Sequence, residues 1–253
     1  MTIELYNLIF YIWIFLFGIV IGSFLNVCIL RIPNRESIAR DRSHCMHCGY
    51  QLKWYDLIPL FSYLFLGGRC RQCKNHISLQ YPIIEGVNGI LYVLIFIVKG
   101  WGLDAVIYCL CASALLALSV IDFRTYEIPL GFNICIGLLG VIHLFLHRTQ
   151  WKEYLIGLVL VSGIFEIIFL LSKGRAIGGG DVKLMAAAGL LIGWKMAYLA
   201  MVLGCVIGSV IHLIRMKVTK EGHVLAMGPY LAMGIFLSFM WGEQLLEWYV
   251  SLF

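Results

Sequence analysis

The chain has 253 residues, of which 61% are hydrophobic and only 13% are charged, and its mean hydropathy is +0.90. Soluble proteins carry about 25% charged residues, so this composition excludes a soluble globular domain. The 26 Gly and five Pro argue against a collagen-like or disordered chain. The apolar runs are unbroken, which excludes the alternating pattern of a β-barrel.

Successive apolar blocks have lengths close to the ~20 residues that cross a bilayer core. They predict an all-α polytopic membrane protein with about eight transmembrane helices. The predicted spans are 6–29, 82–98, 103–121, 130–147, 154–171, 182–194, 196–214 and 226–249. The first block has no basic residue before it and is too long for a signal peptide, so we expect it to remain in the mature chain.

The basic residues fall mainly on one side of this topology. Fifteen of the 19 Lys and Arg residues lie on the side of residues 31–81, and four lie on the other side. The positive-inside rule therefore places 31–81 in the cytoplasm and, with an even number of spans, both termini outside. Anionic lipid headgroups account for the basic charge, so no nucleic-acid partner is expected. The expected domains are a first helix, 1–30, an insert, 31–81, and a seven-helix core, 82–253.

Four of the nine cysteines form two Cys-x2-Cys pairs separated by 21 residues: Cys45, Cys48, Cys70 and Cys73. This spacing is typical of a zinc ribbon and predicts a tetrahedral site that stabilises the small insert. His44, His47 and His76 flank the pairs, and we expect them to be exposed polar residues because the four-Cys set is complete without them.

A redox role is the alternative for these cysteines. Two Cys-x2-Cys pairs on a membrane protein could pass electrons to a quinone, which would make the chain a thiol oxidoreductase. The reducing cytoplasm disfavours stored disulfides, so structural zinc is the favoured interpretation.

Acidic residues at membrane depth are rare, and each is a functional candidate by default. Asp181 follows Gly178, Gly179 and Gly180, which let a backbone or a substrate approach closely. The apolar run after Asp181 ends at Gly193 and covers only ~18 Å as a helix, so we expect Asp181 to lie inside the bilayer. The alternative is an ordinary acid at a helix N-terminus, stabilised by the helix dipole.

Asp122 ends the third predicted span, just before a short turn that leads to Pro129. Asp122 and Asp181 thus both lie at cytoplasmic ends of predicted spans. Two such carboxylates can converge on one water and act as general base and general acid, which is the chemistry of an aspartic peptidase. Alternatively, Asp122 only pairs with Arg124 or Lys183.

Two other acids lie within or at the start of predicted spans. Glu85 can pair with a basic residue or bind a cationic substrate, and Glu166 can be a packing acid paired with His143 or His212. If Glu166 joined the two aspartates in a path for protons or cations, the chain would be a transporter or a channel.

A series of short motifs follows one order along the chain: Gly22-Ser23-Phe24-Leu25-Asn26-Val27, the four cysteines, Tyr55-Asp56-Leu57-Ile58-Pro59, Tyr81-Pro82 with Glu85, Asp122 with Ile128-Pro129, Gly178-Gly179-Gly180-Asp181-Val182-Lys183 and Met227-Gly228-Pro229-Tyr230-Leu231. In this order they resemble the blocks of the type IV prepilin leader peptidases, a bacterial family of intramembrane aspartic proteases. The resemblance covers most of the chain.

The resemblance implies that Asp122 and Asp181 are the catalytic pair and that the four cysteines bind zinc. The residues expected to shape the substrate site are Gly178, Gly179, Gly180, Lys183 and Glu85. It also implies cleavage of the basic leader of type IV prepilins and pseudopilins, after a Gly, on the cytoplasmic side of the bacterial inner membrane.

Many members of this family then methylate the new N-terminus with S-adenosylmethionine. No Gly-x-Gly-x-x-Gly motif opens a βα unit in this chain, so a site for the methyl donor is implied by the resemblance alone.

Overall fold

The computed structural model describes residues 3–40, 42–219 and 225–252. Within these ranges the protein is all-helical and has no β-strand, as the sequence predicts. The helices are α1 (Ile3–Arg31), α2 (Phe61–Phe65), α3 (Gln80–Lys99), α4 (Leu103–Thr125), α5 (Leu130–Leu146), α6 (Trp151–Ser172), α7 (Gly179–Thr219) and α8 (Gly228–Val250). Short 3-10 turns lie at Trp54–Leu57 and Arg148–Gln150.

Five helices of the described ranges are long and apolar enough to cross a membrane: α1, α3, α4, α6 and α7. Helix α5 is apolar but has only 17 residues, and α8 is helical over 23 residues without being among the five. Large apolar side chains on α1 are exposed, including Leu8, Trp13, Phe17, Val20 and Phe24. Such a surface suits a helix that contacts lipid rather than water.

Helix α7 contains two of the predicted spans, 182–194 and 196–214, and is interrupted between them. Gly193 has a φ of 77° and a ψ of 168°, which is not a helical conformation. Glycine reaches this region because it has no Cβ. The first half of α7 is therefore only about 14 residues long and spans about 21 Å, which is less than the ~30 Å of a bilayer core.

The second half of α7 runs antiparallel to α8. A Cβ on Gly242 would meet Met196, at the start of this half, and a Cβ on Gly208 would meet Tyr230, at the start of α8. Tyr230 follows Gly228, which binds the carboxylate of Asp122 near the end of α4. The chain thus turns back at Gly193, and the two halves of α7 correspond to the two short spans expected there.

The chain divides into two compact units, Met1–Trp101 and Gly102–Phe253. In the first unit α1 packs closely on α3, because Gly18 faces Gly89 so tightly that a Cβ on Gly18 would lie 2.6 Å from the Gly89 Cα. The Asn88 side-chain amide donates to the Gly18 carbonyl at 2.7 Å. Helix α3 therefore lies in the same compact unit as α1.

Helix α4 is the most buried of the five candidate membrane spans. Its most apolar stretch is 61% buried, compared with 17% for that of α6. The helix ends at Tyr126, which has a left-handed φ of 56° and donates its N–H to the Asp122 carbonyl at 2.8 Å. Pro129 then caps α5. These local signals leave Asp122 in the last turn of a buried helix.

Candidate functional site

Asp122 is buried at the end of α4, with 4% of its surface exposed. Its Oδ2 accepts a hydrogen bond of 2.9 Å from the N–H of Gly228, the first residue of α8. A Cβ at position 228 would lie 2.7 Å from that oxygen, so the contact requires glycine. The N–H groups of the first helical turn have no partner within the helix and favour a negative charge, so the amide of Gly228 is available to Asp122.

Asp181 is also buried, with 7% of its surface exposed, and lies in the first turn of α7. Its Oδ2 accepts a 3.2 Å hydrogen bond from the N–H of Gly178. A Cβ on Gly180 would lie 3.0 Å from the Ile128 Cβ, so this glycine allows the α4–α5 loop to approach. The Asn133 side chain holds the same segment by donating to the Gly180 carbonyl at 3.3 Å.

One cavity of about 270 Å³ receives both aspartates. Its lining residues are Asp122, Tyr126, Glu127, Ile128, Gly178, Gly179, Gly180 and Asp181. Within the described residues, each carboxylate has its Oδ2 engaged by a glycine amide and no hydrogen bond to its Oδ1. Two carboxylates that face a small cavity with one free oxygen each can bind a water between them and exchange protons with it.

Three residues considered from the sequence do not line this cavity: Arg124, Lys183 and Glu166. Lys183 is exposed, and its role in shaping the substrate site, which the resemblance implies, stays a prediction. The described contacts of Asp122 include no ion pair with Arg124 or Lys183. Glu166 is exposed on α6 and does not line the cavity, so it does not join the two aspartates in the path that the transporter or channel alternative requires.

Glu85 lies in the first unit, near the start of α3. It is buried and accepts a 2.8 Å hydrogen bond from the N–H of Leu60, which precedes α2. A Cβ on Gly22 would lie 2.7 Å from the Glu85 Cα, so the α1 motif packs directly on this residue. The hydrogen-bond partners of Glu85 thus include the Leu60 amide and the Ser23 side chain, and a basic side chain was one of two expectations.

The four predicted metal ligands converge in the insert. Cys45 and Cys73 have their Sγ atoms 3.9 Å apart, those of Cys48 and Cys70 are 4.0 Å apart, and all four lie within 4.8 Å of one another. A tetrahedron of sulfurs around zinc, at about 2.3 Å per bond, has edges of about 3.8 Å. The cysteines therefore fit a tetrahedral metal ion.

The two Cys-x2-Cys turns have the same backbone pattern. Cys45 donates to the Tyr50 carbonyl and accepts from Gly49, and Cys70 donates to the Asn75 carbonyl and accepts from Lys74, all at 2.8–3.0 Å. Gly49 has a φ of 70°, and the equivalent Lys74 has a φ of 58°. The second turn therefore places a lysine in a left-handed conformation that favours glycine.

Without a cation, the four thiols of this cluster do not ionise equally, because a thiolate at one sulfur disfavours a negative charge on its neighbours. Hydrogen bonds from the backbone amides of Cys73 and Gln72 lower the pKa of Cys70 to about 7. A backbone hydrogen bond from Tyr50 also lowers the pKa of Cys48, but desolvation and the three other thiols outweigh it and raise that pKa to about 11. A divalent cation stabilises all four as thiolates.

Asp56 connects the two halves of the insert. Its side chain is 2% exposed and accepts a 2.7 Å hydrogen bond from Arg71 Nε, with further bonds from the Tyr50 hydroxyl at 3.4 Å and the Lys53 N–H at 3.2 Å. The sequence signal for this role is weak, because Arg71 lies 15 residues away and nothing in the spacing pairs them.

Sequence reasoning also missed two partners in the second unit. The bond from Gly228 to Asp122 was not foreseen, although a Gly-Pro pair at a helix start is a signal for exposed amides. His143, considered as a partner of Glu166, instead has its Nε2 3.6 Å from Asp104 Oδ1. His44, His47 and His76 are exposed, as expected.

Comparisons with known proteins agree with this arrangement. A sequence model described as the Bacterial Peptidase A24 N-terminal domain matches residues 16–99, and one described as the Type IV leader peptidase family matches residues 109–213. The two matches fall within the two structural units. No solved structure gives a significant match.

Several curated relatives are named prepilin leader peptidase/N-methyltransferase. The chain is 32% identical to the one from Myxococcus xanthus (strain DK1622), over 83% of this chain and 64% of that protein. It is 30% identical to the one from Stutzerimonas stutzeri, over 92% of this chain and 91% of the relative. For the Aeromonas hydrophila protein the identity is 29%, over 95% and 93%. This chain belongs to the type IV leader peptidase family.

Proposed function

We propose that this protein is an aspartic endopeptidase that removes the basic leader from type IV prepilins and pseudopilins, with Asp122 and Asp181 as its catalytic pair. One observation carries the proposal. Two buried carboxylates from α4 and α7 line one cavity of about 270 Å³, and each has one oxygen held by a glycine amide. The names of the relatives supply the substrate class.

The chemistry follows from the positions of the two carboxylates. One aspartate removes a proton from water as that water attacks the scissile carbonyl carbon, while the other donates a proton to the carbonyl oxygen. The proton taken from water then passes to the leaving amine as the C–N bond breaks, and the hydroxyl formed from the carbonyl oxygen returns its proton to the second aspartate. The amides of Gly178 and Gly228 hold one oxygen of each carboxylate, so the reacting oxygens are oriented before the substrate arrives.

The triple glycine gives the substrate room to approach. A Cβ added to Gly179 would have a single neighbouring atom within 4 Å, a ring carbon of Phe169 at 3.9 Å. The space beside Gly179 is therefore open. An extended substrate backbone can therefore lie close to Asp181.

The cofactor proposals differ in their support. Zinc is proposed for the four cysteines, where it would cross-link the two Cys-x2-Cys turns and stabilise the insert. Methylation of the new N-terminus with S-adenosylmethionine is proposed from the names of the relatives. The described residues contain no strand-turn-helix unit of the kind that binds this cofactor in a Rossmann fold, so we assign no residue to it.

For localisation we propose the bacterial inner membrane, with the insert in the cytoplasm and both termini outside. The uneven distribution of basic residues supports this orientation. Met1, Thr2 and Phe253 lie outside the described residues. The orientation of the termini is therefore tested by fusions to the full-length chain. Reporter fusions at Lys74 and after Phe253 should report opposite compartments, and the same compartment for both would contradict the orientation.

The test of the function is co-expression with candidate type IV prepilins, followed by intact-mass measurement of the pilin. We expect a product that lacks the leader and begins after a Gly, and a methylated product would be heavier by one methylene group. Full-length pilin in the presence of folded, membrane-inserted protein would contradict the peptidase and revive the transporter interpretation. Unmethylated product would contradict only the methyltransferase.

A further inference from the structure

A second group of metal-binding side chains lies at the other end of α4 from Asp122. Asp104 is the second residue of α4, His143 is in the last turn of α5, and His147 follows that turn. Asp104 and Asp122 are 18 residues apart on one helix, or about 27 Å. This cluster is therefore separate from the aspartate cavity, and it belongs to the second unit, whereas the four cysteines belong to the first.

The spacing of the ligand atoms matches a metal ion. Asp104 Oδ1 is 3.1 Å from His147 Nε2 and 3.6 Å from His143 Nε2, and all three atoms lie within 4.8 Å of one another. Bonds of about 2.0–2.1 Å in a tetrahedral zinc site give ligand-to-ligand edges of about 3.4 Å. The two measured edges bracket this value, so one ion can reach the three atoms with small movements.

The rings are held in this position by the surrounding packing. The His143 side chain is 4% exposed, and its ring lies 4.5 Å from the His147 ring and edge-on to Tyr154 at 5.4 Å, measured between centroids. The Tyr108 hydroxyl is 3.4 Å from His143 Nε2. The site is open on one side, because the side chains of Asp104 and His147 are 44% and 38% exposed. An ion can enter there and keep a water as a further ligand.

We propose that Asp104, His143 and His147 bind one divalent transition-metal ion of the zinc class, in an open three-ligand site. Two imidazole nitrogens and one carboxylate oxygen suit zinc, copper or nickel, whereas calcium and magnesium prefer oxygen ligands throughout. The ion would link the start of α4 to the end of α5. The proposal does not rest on the peptidase function.

A simple polar cluster is the competing explanation. Each histidine can donate its Nε2–H toward the one carboxylate oxygen, with no metal present. The two explanations differ in a measurable way, since a hydrogen-bonded cluster binds no metal and a metal site requires both nitrogens to be unprotonated.

The test uses the full chain, purified in detergent, stripped of metal with a chelator and then titrated with Zn²⁺. Elemental analysis should find two zinc ions per wild-type chain, one more than the cysteines account for. Asp104→Asn and His147→Gln should each lose one ion or bind it at least about tenfold more weakly. Glu153→Gln is the matched control, because the Glu153 side chain is 47% exposed, similar to that of Asp104, and pairs with Lys195 at 3.7 Å outside the cluster.

Co²⁺ gives a second readout that separates the sites. The first equivalent, bound by cysteines, should show intense thiolate-to-metal absorption, and the second should add only weak ligand-field bands. Both variants change side chains that are only partly buried, and unchanged helicity will show that they fold. A second equivalent that persists in Asp104→Asn and His147→Gln, or a wild-type chain that binds metal only through sulfur, would overturn the proposal.

Discussion

The insert and the helical bundle hold their key side chains in different ways. In the insert, four cysteines meet through two short turns with matching backbone hydrogen bonds, and little apolar surface is buried around them. In the second unit, Asp122 and Asp181 meet because whole helices pack with glycines at their contacts. The stability of the insert should therefore depend on a bound metal ion. The stability of the bundle should depend on glycines at the helix contacts, where an added Cβ atom would not fit.

The largest expected effect is the loss of cleavage, without loss of folding, when either cavity aspartate is replaced. Asp122→Asn and Asp181→Asn should each reduce cleavage by ~10²- to 10⁴-fold or more, because an amide can neither take nor give the proton. The two residues act as a unit, so the double variant should be scarcely worse than either single one. Cleavage is measured by intact mass of the pilin, together with zinc content and helicity, which should stay near wild type.

Glu166→Gln is the control for these variants, because Glu166 is exposed on α6 and does not line the cavity. It should retain most of the activity. Near-normal turnover with Asn at position 122 or 181 would remove that residue from the mechanism.

Replacing a metal ligand should change zinc content and the folding of the insert, which the aspartate variants leave near wild type. Cys70→Ser should weaken zinc binding at least ~100-fold, since even indirect changes to metal sites cost about 10- to 100-fold. Residues 43–76 should then become sensitive to protease, while the helices of the second unit keep their circular dichroism. Cys135→Ser, at an exposed cysteine on α5, is the control and should keep its zinc. Collapse of both units together would show that the insert is not independent.

A single added carbon tests how the bundle is held. A Cβ on Gly157 of α6 would overlap the carbonyl oxygen of Gly189 of α7, whereas one on Gly163 of the same helix has nothing within 4 Å. Gly157→Ala should destabilise the protein by about 1–3 kcal/mol through overpacking. Gly163→Ala should be neutral or stabilise it by up to about 1 kcal/mol. Thermal unfolding in detergent compares them, and equal midpoints would contradict tight α6–α7 packing.

The smallest expected effect concerns the two matching turns of the insert. Lys74 has a φ of 58° where the first turn has Gly49. Lys74→Gly should stabilise the insert by a few tenths to about 1 kcal/mol, because glycine adopts this conformation without steric cost. The measurement is the rate of zinc loss to a chelator, which should fall. Lys74→Ala removes the same charge but keeps the strain, so a similar gain in that control would show that charge, not φ, is responsible.

Much of the fold was predictable because its signals are local. The predicted spans 6–29 and 103–121 lie within helices Ile3–Arg31 and Leu103–Thr125, since the length of an apolar run directly reflects a buried or lipid-facing helix. The two short spans expected around Gly193 appear as halves of one interrupted helix. The cysteine cluster was predictable from two pairs whose ligand spacing is a property of a short turn.

Side-chain partners were much harder to predict. For Glu85 the sequence left open a basic partner or a cationic substrate, and it gave no signal for the bond from the Leu60 amide, which belongs to the insert. His143 meets Asp104 rather than Glu166, since the latter is exposed on α6. Periodicity reports which face of a helix is apolar, but it does not report which neighbour that face contacts.

By itself, the sequence determined that this chain forms membrane-spanning helices, carries a four-cysteine cluster and places two aspartates at helix ends. These properties depend on composition and on spacings of a few residues. Only the tertiary structure decided that the Gly228 amide binds Asp122 across 106 residues, and that Asp122 and Asp181 open into one cavity. The reason is physical: a contact between distant segments depends on how all the intervening helices pack, and no local pattern encodes that arrangement.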